Sequence, residues 1–141
     1  MQKIRFYFHD RKPILKERKR LKQFIEGLFV QKKQQLESLS YIFCSDKYLV
    51  GINKEFLKHD FFTDVITFNL SLNRYKTEAE VYVSVDRIKD NAKQEGVSFN
   101  KELHRVIFHG ALHLCRYKDK NKTDQKRMRL AENRHLNKYF K

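Results

Sequence analysis

The sequence predicts an α+β fold: a single domain over residues 1–141, in which a mixed sheet of about four strands packs against helices. Apolar residues alternate with polar ones in some short segments and recur every three or four residues in others. These two kinds of segment do not alternate strictly along the chain, as they would in an α/β fold. A length of 141 residues with 40% hydrophobic side chains suits one domain with one core.

Four segments are predicted as strands, because apolar and polar residues alternate along them as on a half-buried sheet. They cover residues 3–8, 39–44, 64–72 and 80–85. In the first of them, Ile4, Phe6 and Phe8 would share one face.

The first predicted helix is basic and amphipathic. Pro13 suits the first turn of a helix. Ile14, Leu21, Ile25 and Leu28 then recur at helical spacings. We therefore expect the helix to begin near Pro13 and to turn these side chains toward the core.

Capping residues and periodicity predict four further helices. Asp46 suits the N-cap of a short helix. Its buried side chains would be Leu49, Ile52, Asn53 and Phe56. A polar helix over residues 86–94 ends at Gly96, and a long helix begins at Ser98 and reaches about residue 114. The inner side of the long helix would carry Leu103, Val106, Ile107 and Gly110. Thr123 opens a terminal helix that reaches about residue 139.

Positive charge is confined to the two ends of the chain. The formal net charge is +14 at pH 7, with +8 in residues 1–33, +7 in residues 116–141 and −1 between them. Clustered cations can track a phosphate backbone, which predicts a nucleic-acid partner. Most of the cations expected to contact RNA lie in and before the first helix: Arg11, Lys12, Arg18, Lys19, Arg20 and Lys22. Lys58 is expected to contact RNA as well. The alternative is a solvated surface that only keeps the protein soluble.

Composition also predicts the surroundings of the protein. No stretch approaches the roughly 18–20 apolar residues of a membrane helix, and the N-terminal segment lacks the features of a signal peptide. Cys44 and Cys115 lie in apolar contexts, so we expect two buried thiols and no disulfide. These features predict a cytoplasmic protein, and we expect neither a membrane nor a nucleotide cofactor among its partners.

The strongest chemical signal is a histidine pair on the predicted long helix. His109 and His113 are four residues apart, so their imidazoles lie on one face about one turn apart. Two imidazoles so placed can hold one metal ion, as they do on zincin helices. The alternative is that they are hydrogen-bonded polar residues without a metal.

Asp119 extends the histidine pattern, because it follows His109 at the ten-residue offset of the third ligand in extended zincin motifs. A carboxylate is a competent zinc ligand, and three protein ligands leave one position for water. The alternative for Asp119 is an exposed loop carboxylate. A zinc peptidase carries its general-base glutamate directly after the first histidine, where this chain has Gly110, so a peptidase would lack its proton acceptor.

These residues resemble a known family. The stretch HGALHLCRYKD over residues 109–119 is similar to the HGxLHLxGYDH signature of the YbeY family, which comprises bacterial zinc-dependent endoribonucleases that act in rRNA maturation. Residues 52–56 and 60–68 resemble the LN…Y…TDVLSF segment of that family. Residues 79–84 resemble its GDIxIS strand.

The resemblance implies a single-strand-specific endoribonuclease that acts in rRNA maturation and ribosome biogenesis. It implies one Zn²⁺ per chain, held by His109, His113 and Asp119 between the long helix and the turn after it. The implied partners are an rRNA precursor and the small ribosomal subunit. We expect a zinc-bound water to attack an RNA phosphodiester. Attack by the RNA 2′-hydroxyl is the alternative, and it would leave a cyclic phosphate.

The sequence departs from the family signature at three positions. Asp119 stands where the family usually has histidine, which lowers the charge of the site by one. Arg116 stands where the turn has glycine, and a left-handed backbone there would cost arginine roughly 1 kcal/mol. Leu57 stands where the family has a functional arginine, so Lys58 or His59 would have to supply the cation. His59 is also the predicted catalytic residue, as a proton acceptor across the cleft, and Asp119 is the alternative acceptor.

Two other functional classes compete with the nuclease. A non-catalytic rRNA- or ribosome-binding factor with a structural metal is favoured by Leu57 and Arg116. A metallopeptidase is disfavoured by Gly110.

His104 lies five residues before His109, which predicts a position on the surface of the long helix.

Overall fold

The computed structural model describes residues 2–57 and 63–141, and over those ranges the chain forms four strands and five helices. The strands are β1 (Ile4–Phe8), β2 (Gln35–Cys44), β3 (Val65–Asn69) and β4 (Lys76–Ser84). The helices are α1 (Arg18–Gln31), α2 (Asp46–Leu57), α3 (Val85–Glu95), α4 (Phe99–Leu114) and α5 (Lys122–Tyr139). The predicted single-domain α+β class is confirmed.

The four described strands form one mixed sheet in the order β1-β2-β4-β3. Strand β2 is parallel to both β1 and β4, whereas β3 runs antiparallel to β4. Tyr41 at the middle of β2 lies between Phe6 and Val81 of the two neighbouring strands. Helices follow the parallel strands because such strands need long crossover connections, and the antiparallel β3–β4 pair is joined by a short hairpin.

The two faces of the sheet carry cores of different size. The larger core joins side chains of β1, β2 and β4 to α1, α3, α4 and α5. A smaller cluster joins the sheet to α2 through Cys44, Leu49, Ile52 and Ile66. Helix α4 lies against the face of the sheet that carries the larger core, where the hydroxyl of Tyr41 donates a hydrogen bond to the carbonyl of Ile107 over 2.8 Å. The helix that carries the histidine pair is therefore fixed to the centre of the sheet.

The start of the first helix was predicted too early, since α1 begins at Arg18. Glu17 before it has a left-handed backbone with φ 50°, which separates the extended segment at Pro13 from the helix. Ile14 is 76% exposed, and Leu15 is buried in its place. One residue of register in this segment decides which side chain reaches the core.

Two predicted helix caps are wrong by one or two residues. Asp46 is the first residue of α2, and the hydroxyl of Ser45 before it accepts the hydrogen bond from the N–H of Tyr48. Thr123 lies inside α5, whose N-cap is Asn121. Serine and asparagine are both good N-cap residues, so local sequence did not distinguish neighbouring candidates. The predicted cap at Ser98 is confirmed.

The strand bounds also differ from the prediction. Strand β2 begins at Gln35 and β4 begins at Lys76, because their parallel pairing extends past the alternating segments. Strand β3 ends at Asn69, where the chain turns into the hairpin. Phe56, expected in the core, is 62% exposed near the end of α2 and packs edge-on against Phe68.

His104 was expected at the surface and is buried instead. The C-terminal end of α5 covers this side of α4, so the ring stacks on Tyr139 at 5.3 Å and meets Phe140 edge-on at 4.9 Å. Its Nδ1 donates a hydrogen bond to the carbonyl of Asn100 over 2.7 Å. The helical period of α4 alone does not show that a second helix lies there.

Two predictions from composition concern the cysteines and membrane segments. Cys44 is buried and Cys115 is partly buried, and both thiols are free. Burial raises the pKa of each thiol to about 12, so both are protonated at neutral pH.

Among the described helices, none is long and apolar enough to cross a membrane.

Candidate active site

Helix α4 carries His109 and His113 one turn apart near its C-terminal end, as predicted. Its opposite side is buried against the sheet. Gly110 lies there, and a Cβ at this position would come within 3.0 Å of Cγ1 of Val81 on β4. The close approach of helix and strand leaves no room for the glutamate that a zinc peptidase has at this position.

His109 is oriented by a buried carboxylate. Its Nδ1 lies 2.6 Å from Oε2 of Glu132, a residue of α5 that is 2% exposed. An ionised carboxylate only accepts hydrogen bonds, so Nδ1 carries the proton and donates it. The lone pair is therefore left on Nε2, which lies 3.8 Å from Oδ2 of Asp119. Metal-binding histidines in proteins are commonly held in this way.

His113 is oriented by the backbone of the turn that follows α4. Its Nδ1 donates to the carbonyl oxygen of Tyr117 over 3.1 Å, which again leaves the lone pair on Nε2. The turn is a Schellman motif, in which Arg116 N–H donates to His113 and Tyr117 N–H donates to Leu112. Arg116 is the left-handed residue of the motif, with φ 78°. The positive φ expected at this position is therefore present.

The two histidines and Asp119 line one cavity of about 230 Å³, the histidine cleft. Asn53 and Leu57 of α2 also line it. Among the described residues, no three His, Cys, Asp or Glu side chains are close enough to form a metal-binding group by themselves. The structure thus brings His109 and Asp119 together and places His113 on the wall of the same cleft.

A buried ion-pair network lies behind His109. Arg105 of α4 donates to Glu102 over 2.5 Å, to Glu132 over 3.0 Å and to Asp64 over 3.4 Å. Burial alone would raise the pKa of Glu132, but the hydrogen bond from His109 and the charge of Arg105 lower it. Burial likewise opposes the charge of Arg105, and the two glutamates raise its pKa. The carboxylate that orients His109 is therefore ionised.

Glu132 was not predicted from the sequence, although a signal for it exists. The buried residues of α5 recur at helical spacings: Met128, Ala131, Glu132, His135, Leu136 and Tyr139. Glu132 is thus an acidic residue on the apolar side of a basic helix. A carboxylate in that position needs a buried partner, which is the reason to look for a cation or a histidine opposite it.

Position 57, where the resembled family has a functional arginine, lies at the histidine cleft. Leu57 is 41% exposed at the end of α2 and lines the cavity beside the histidines. It supplies no charge there. Lys58 and His59, predicted to replace the missing cation, lie outside the described residues.

The N-terminal cations predicted to contact RNA line none of the cavities around the histidines. Arg11 is paired with Asp86 over 3.1 Å. Arg20 lies over the ring of Tyr139, 4.0 Å from its centroid, and bonds to the carbonyl of the same residue. Arg18 and Lys22 lie over the rings of Phe8 and Phe6, at 4.9 and 5.5 Å. Lys12 and Lys19 are exposed. None of the six therefore lies at the histidines.

Two oriented imidazoles and a carboxylate in one cleft are the ligand types that metal-dependent hydrolytic enzymes use. The sequence model of the family described as "Endoribonuclease YbeY" matches residues 7–140. The chain therefore belongs to the YbeY family of endoribonucleases, and the resemblance noted in the sequence is confirmed.

Individual relatives agree with this assignment. An endoribonuclease YbeY of Cytophaga hutchinsonii is 40% identical over 133 residues, which cover 94% of this chain and 93% of the relative. One from Porphyromonas gingivalis is 38% identical over 136 residues, covering 96% and 89%. The solution structure of TM1509 from Thermotoga maritima is similar with a TM-score of 0.66 and 26% identity, and the match covers 97% of this chain and 89% of that one.

Family membership confirms the predicted enzyme class. An endoribonuclease is a hydrolase that cuts RNA internally, so RNA is the substrate. The family is one of metalloenzymes. The metallopeptidase alternative is therefore wrong.

Proposed function

We propose that this protein is a single-strand-specific, zinc-dependent endoribonuclease that matures rRNA in the cytoplasm and contacts the small ribosomal subunit. One observation carries the metal site. His109 and His113 each donate Nδ1–H to a fixed acceptor, and both Nε2 lone pairs remain for a ligand in the cleft shared with Asp119. Imidazole nitrogen and carboxylate oxygen are both zinc ligands. We expect one Zn²⁺ per chain.

The donor set fits zinc in type and in spacing. Two ligand atoms that bind one tetrahedral ion lie roughly 3.3 Å apart. Nε2 of His109 and Oδ2 of Asp119 are 3.8 Å apart. His113 lines the same cleft with its lone pair on Nε2, and the carboxylate of Asp119 is exposed and not held by packing. When bound, zinc would polarise a phosphodiester oxygen and lower the pKa of a water molecule.

Orientation of the ligands, acceptance of the proton and binding of the phosphate depend on side chains of this protein. Arg105 already pairs with three carboxylates, so it serves to hold Glu132 rather than to bind phosphate. The proton of the attacking water would be accepted by Asp119 or by His59. Leu57 supplies no guanidinium where the resembled family has arginine, and none of the described residues that line the cleft provides bidentate charge stabilisation of a phosphate in its place.

The products of cleavage distinguish the two candidate nucleophiles. Attack by water breaks the phosphodiester and leaves a terminal phosphate, with a free hydroxyl on the other fragment. Attack by the RNA 2′-hydroxyl leaves a 2′,3′-cyclic phosphate. End-group analysis of a cut oligonucleotide should therefore give a linear phosphate, and a cyclic product at early times would contradict attack by water.

The metal site is tested by elemental analysis of protein purified without a tag. The wild type should contain close to one zinc per chain. A His109→Ala/His113→Ala variant should lose it, and unchanged zinc content in that variant would contradict the proposed ligands. Asp119→Asn should weaken binding less than either histidine change, because the amide oxygen can still approach the ion.

The activity is tested by cleavage of single-stranded RNA by the zinc-loaded protein, with His113→Ala as the control. We expect cleavage by the wild type only, and little cleavage of a duplex. One alternative is supported by Leu57, because no residue in the described part of the cleft lining supplies the expected cation. If the zinc-loaded protein binds RNA but does not cut it, the non-catalytic rRNA-binding factor becomes the better interpretation.

A further inference from the structure

Three cavities that share lining residues lie side by side around the two histidines. The cleft shares His109 and Asp119 with a cavity of about 670 Å³ toward α5. On its other side it shares His113 with a cavity of about 290 Å³ at the β3–β4 hairpin, the hairpin cavity. An RNA strand that is cut at the cleft must leave it in both directions. Both side cavities are therefore places where its backbone can be bound.

The two side cavities differ in charge. Arg74 and Arg116 line the hairpin cavity, and none of the described residues that line it is an Asp or Glu. The cavity toward α5 also contains cations, but carboxylates line it as well. Two of those cations, Arg105 and Arg129, already face Glu132 over 3.0 and 3.8 Å. The hairpin cavity is therefore the stronger site for an anion.

The hairpin backbone is fixed around Arg74. Its carbonyl accepts hydrogen bonds from Nη2 of Arg116 over 2.9 Å and from Nε2 of Gln34 over 3.1 Å. The side chain of Asn73 accepts from the N–H of Tyr75 over 2.8 Å, which forms an Asx turn. Arg74 itself is exposed, with its guanidinium 5.4 Å from the centroid of the Tyr75 ring. The backbone is held while the charged group faces the solvent.

Arg116 has a backbone conformation that favours glycine. Its φ of 78° costs a residue with a Cβ roughly 1 kcal/mol. Strained residues of this kind cluster at functional sites, where the side chain has a task that outweighs the strain. One of its five N–H donors holds the hairpin, which leaves others for a ligand in the cavity that Arg116 lines.

We propose that Arg74 and Arg116 form a phosphate-binding subsite for the RNA strand on the His113 side of the histidine cleft, and that Tyr75 stacks on a base of the same strand. The subsite rests on the proposed function and names residues that position its substrate. Guanidinium groups bind phosphate through charge-assisted hydrogen bonds. Cations beside exposed aromatic rings are a common way to bind single strands, and Tyr75 is 64% exposed.

Arg116→Gly is the sharpest single change. Glycine adopts a φ of 78° without strain, which offsets the missing hydrogen bond to Arg74. The melting temperature should therefore stay close to that of the wild type. The probe is a fluorescein-labelled, single-stranded 2′-O-methyl RNA, and its Kd is measured by anisotropy over a salt series. A denaturing gel confirms that the probe stays intact.

The double variant Arg74→Gln/Arg116→Gly should bind this probe about tenfold more weakly or worse. The slope of log K against log salt should fall by about 1.4, because each single-strand phosphate that the protein no longer neutralises lowers it by about 0.7. Arg116→Lys keeps the charge and should lose less affinity than Arg116→Gly. The matched control is Lys93→Gln, which removes an exposed cation of α3 that lines none of the three cavities and should leave Kd unchanged.

Two results would overturn the subsite. One is a double variant that binds the probe as tightly as Lys93→Gln does. The other is an equal loss of affinity for a duplex of the same length, because that would indicate a general electrostatic contact.

Tyr75→Leu tests the stacking contact separately. It should weaken binding of the probe about fivefold or more and leave binding of an abasic probe unchanged. An equal effect on both probes would exclude stacking by Tyr75. None of these measurements requires cleavage. A wild type that binds through Arg74 and Arg116 but cuts no RNA would contradict the proposed function and support the subsite.

Discussion

The imidazole of His109 donates a hydrogen bond to the carboxylate of Glu132 over 2.6 Å, although the two residues are 23 positions apart on different helices. The same carboxylate accepts from Arg105 over 3.0 Å. The orientation of the first histidine of the cleft therefore depends on the packing of α5 against α4. A residue that touches no ligand thus controls where the lone pair of His109 points.

Replacing the orienting carboxylate should weaken metal binding. Glu132→Gln keeps the shape of the side chain but removes the charge that holds Nδ1–H, so we expect zinc affinity to fall about 10- to 100-fold. Kd for zinc is measured by competition with a chelator, and circular dichroism reports the folded fraction. Glu37→Gln, an exposed change on β2, is the control. Equal zinc affinity in the two variants would show that Glu132 is only structural.

The N-terminal cations should contribute to RNA binding without taking part in cleavage. Lys12 and Lys19 are exposed, whereas Arg18, Arg20 and Lys22 also lie over aromatic rings. We therefore expect Lys12→Glu/Lys19→Glu to raise KM and to lower the salt slope of binding by about 0.7 for each phosphate left without its lysine, with kcat unchanged. Lys89→Glu/Lys93→Glu on α3 is the charge-matched control. A salt slope equal to that of the wild type would show that the N-terminal charge only aids solubility.

His104 should make stability fall in mild acid. Burial lowers its pKa below 6.5, against a weaker opposing effect of the Asn100 carbonyl. As the pH falls below about 6.5, the imidazole of His104 takes up a proton in the unfolded chain before it does so in the folded one. The free energy of unfolding therefore decreases from that pH down to the pKa of His104 in the folded protein. Burial lowers the pKa of His135 too, which adds to the effect.

His104→Phe isolates the contribution of this imidazole, because phenylalanine keeps the ring contacts with Tyr139 and Phe140. Urea unfolding at pH 8 gives the baseline, and a series down to pH 5 gives the slope. We expect a smaller loss of stability toward pH 5 in the variant than in the wild type. Identical slopes would mean that His104 does not titrate with folding.

Gly110 and Val81 should be energetically coupled. Alanine at position 110 gains about 1 kcal/mol of helix propensity, but its Cβ would lie 3.0 Å from Cγ1 of Val81. Overpacking costs typically 1–3 kcal/mol, so we expect Gly110→Ala to be destabilising by about 1 kcal/mol. In Val81→Ala protein the same change should be neutral or stabilising. A double-mutant cycle from urea unfolding measures the coupling, and additive effects would show that α4 can move away from β4.

The long helix and its histidine pair could be predicted from the sequence because they depend on local order. The spacing of Leu103, Val106, Ile107 and Gly110 marks the buried side of α4, and Ser98 marks its start. His109 and His113 then lie on one face whatever packs around them. The Schellman turn could be located too, although Arg116 is not the glycine usual there.

The amino-acid sequence by itself thus determined three things: the class of fold, the helix that carries the histidine pair, and the family. It could do so because periodicity, helix caps and motif spacing are local properties of the chain. Only the tertiary structure decided that α5 covers His104, that Glu132 reaches His109 and that Arg74 meets Arg116. The residues joined by these hydrogen bonds are 23 and 42 positions apart in the chain. The sequence of one segment does not show which other segment packs against it. The physical reason is that burial and pairing are set by what packs against an element, and that surface is supplied by another part of the chain.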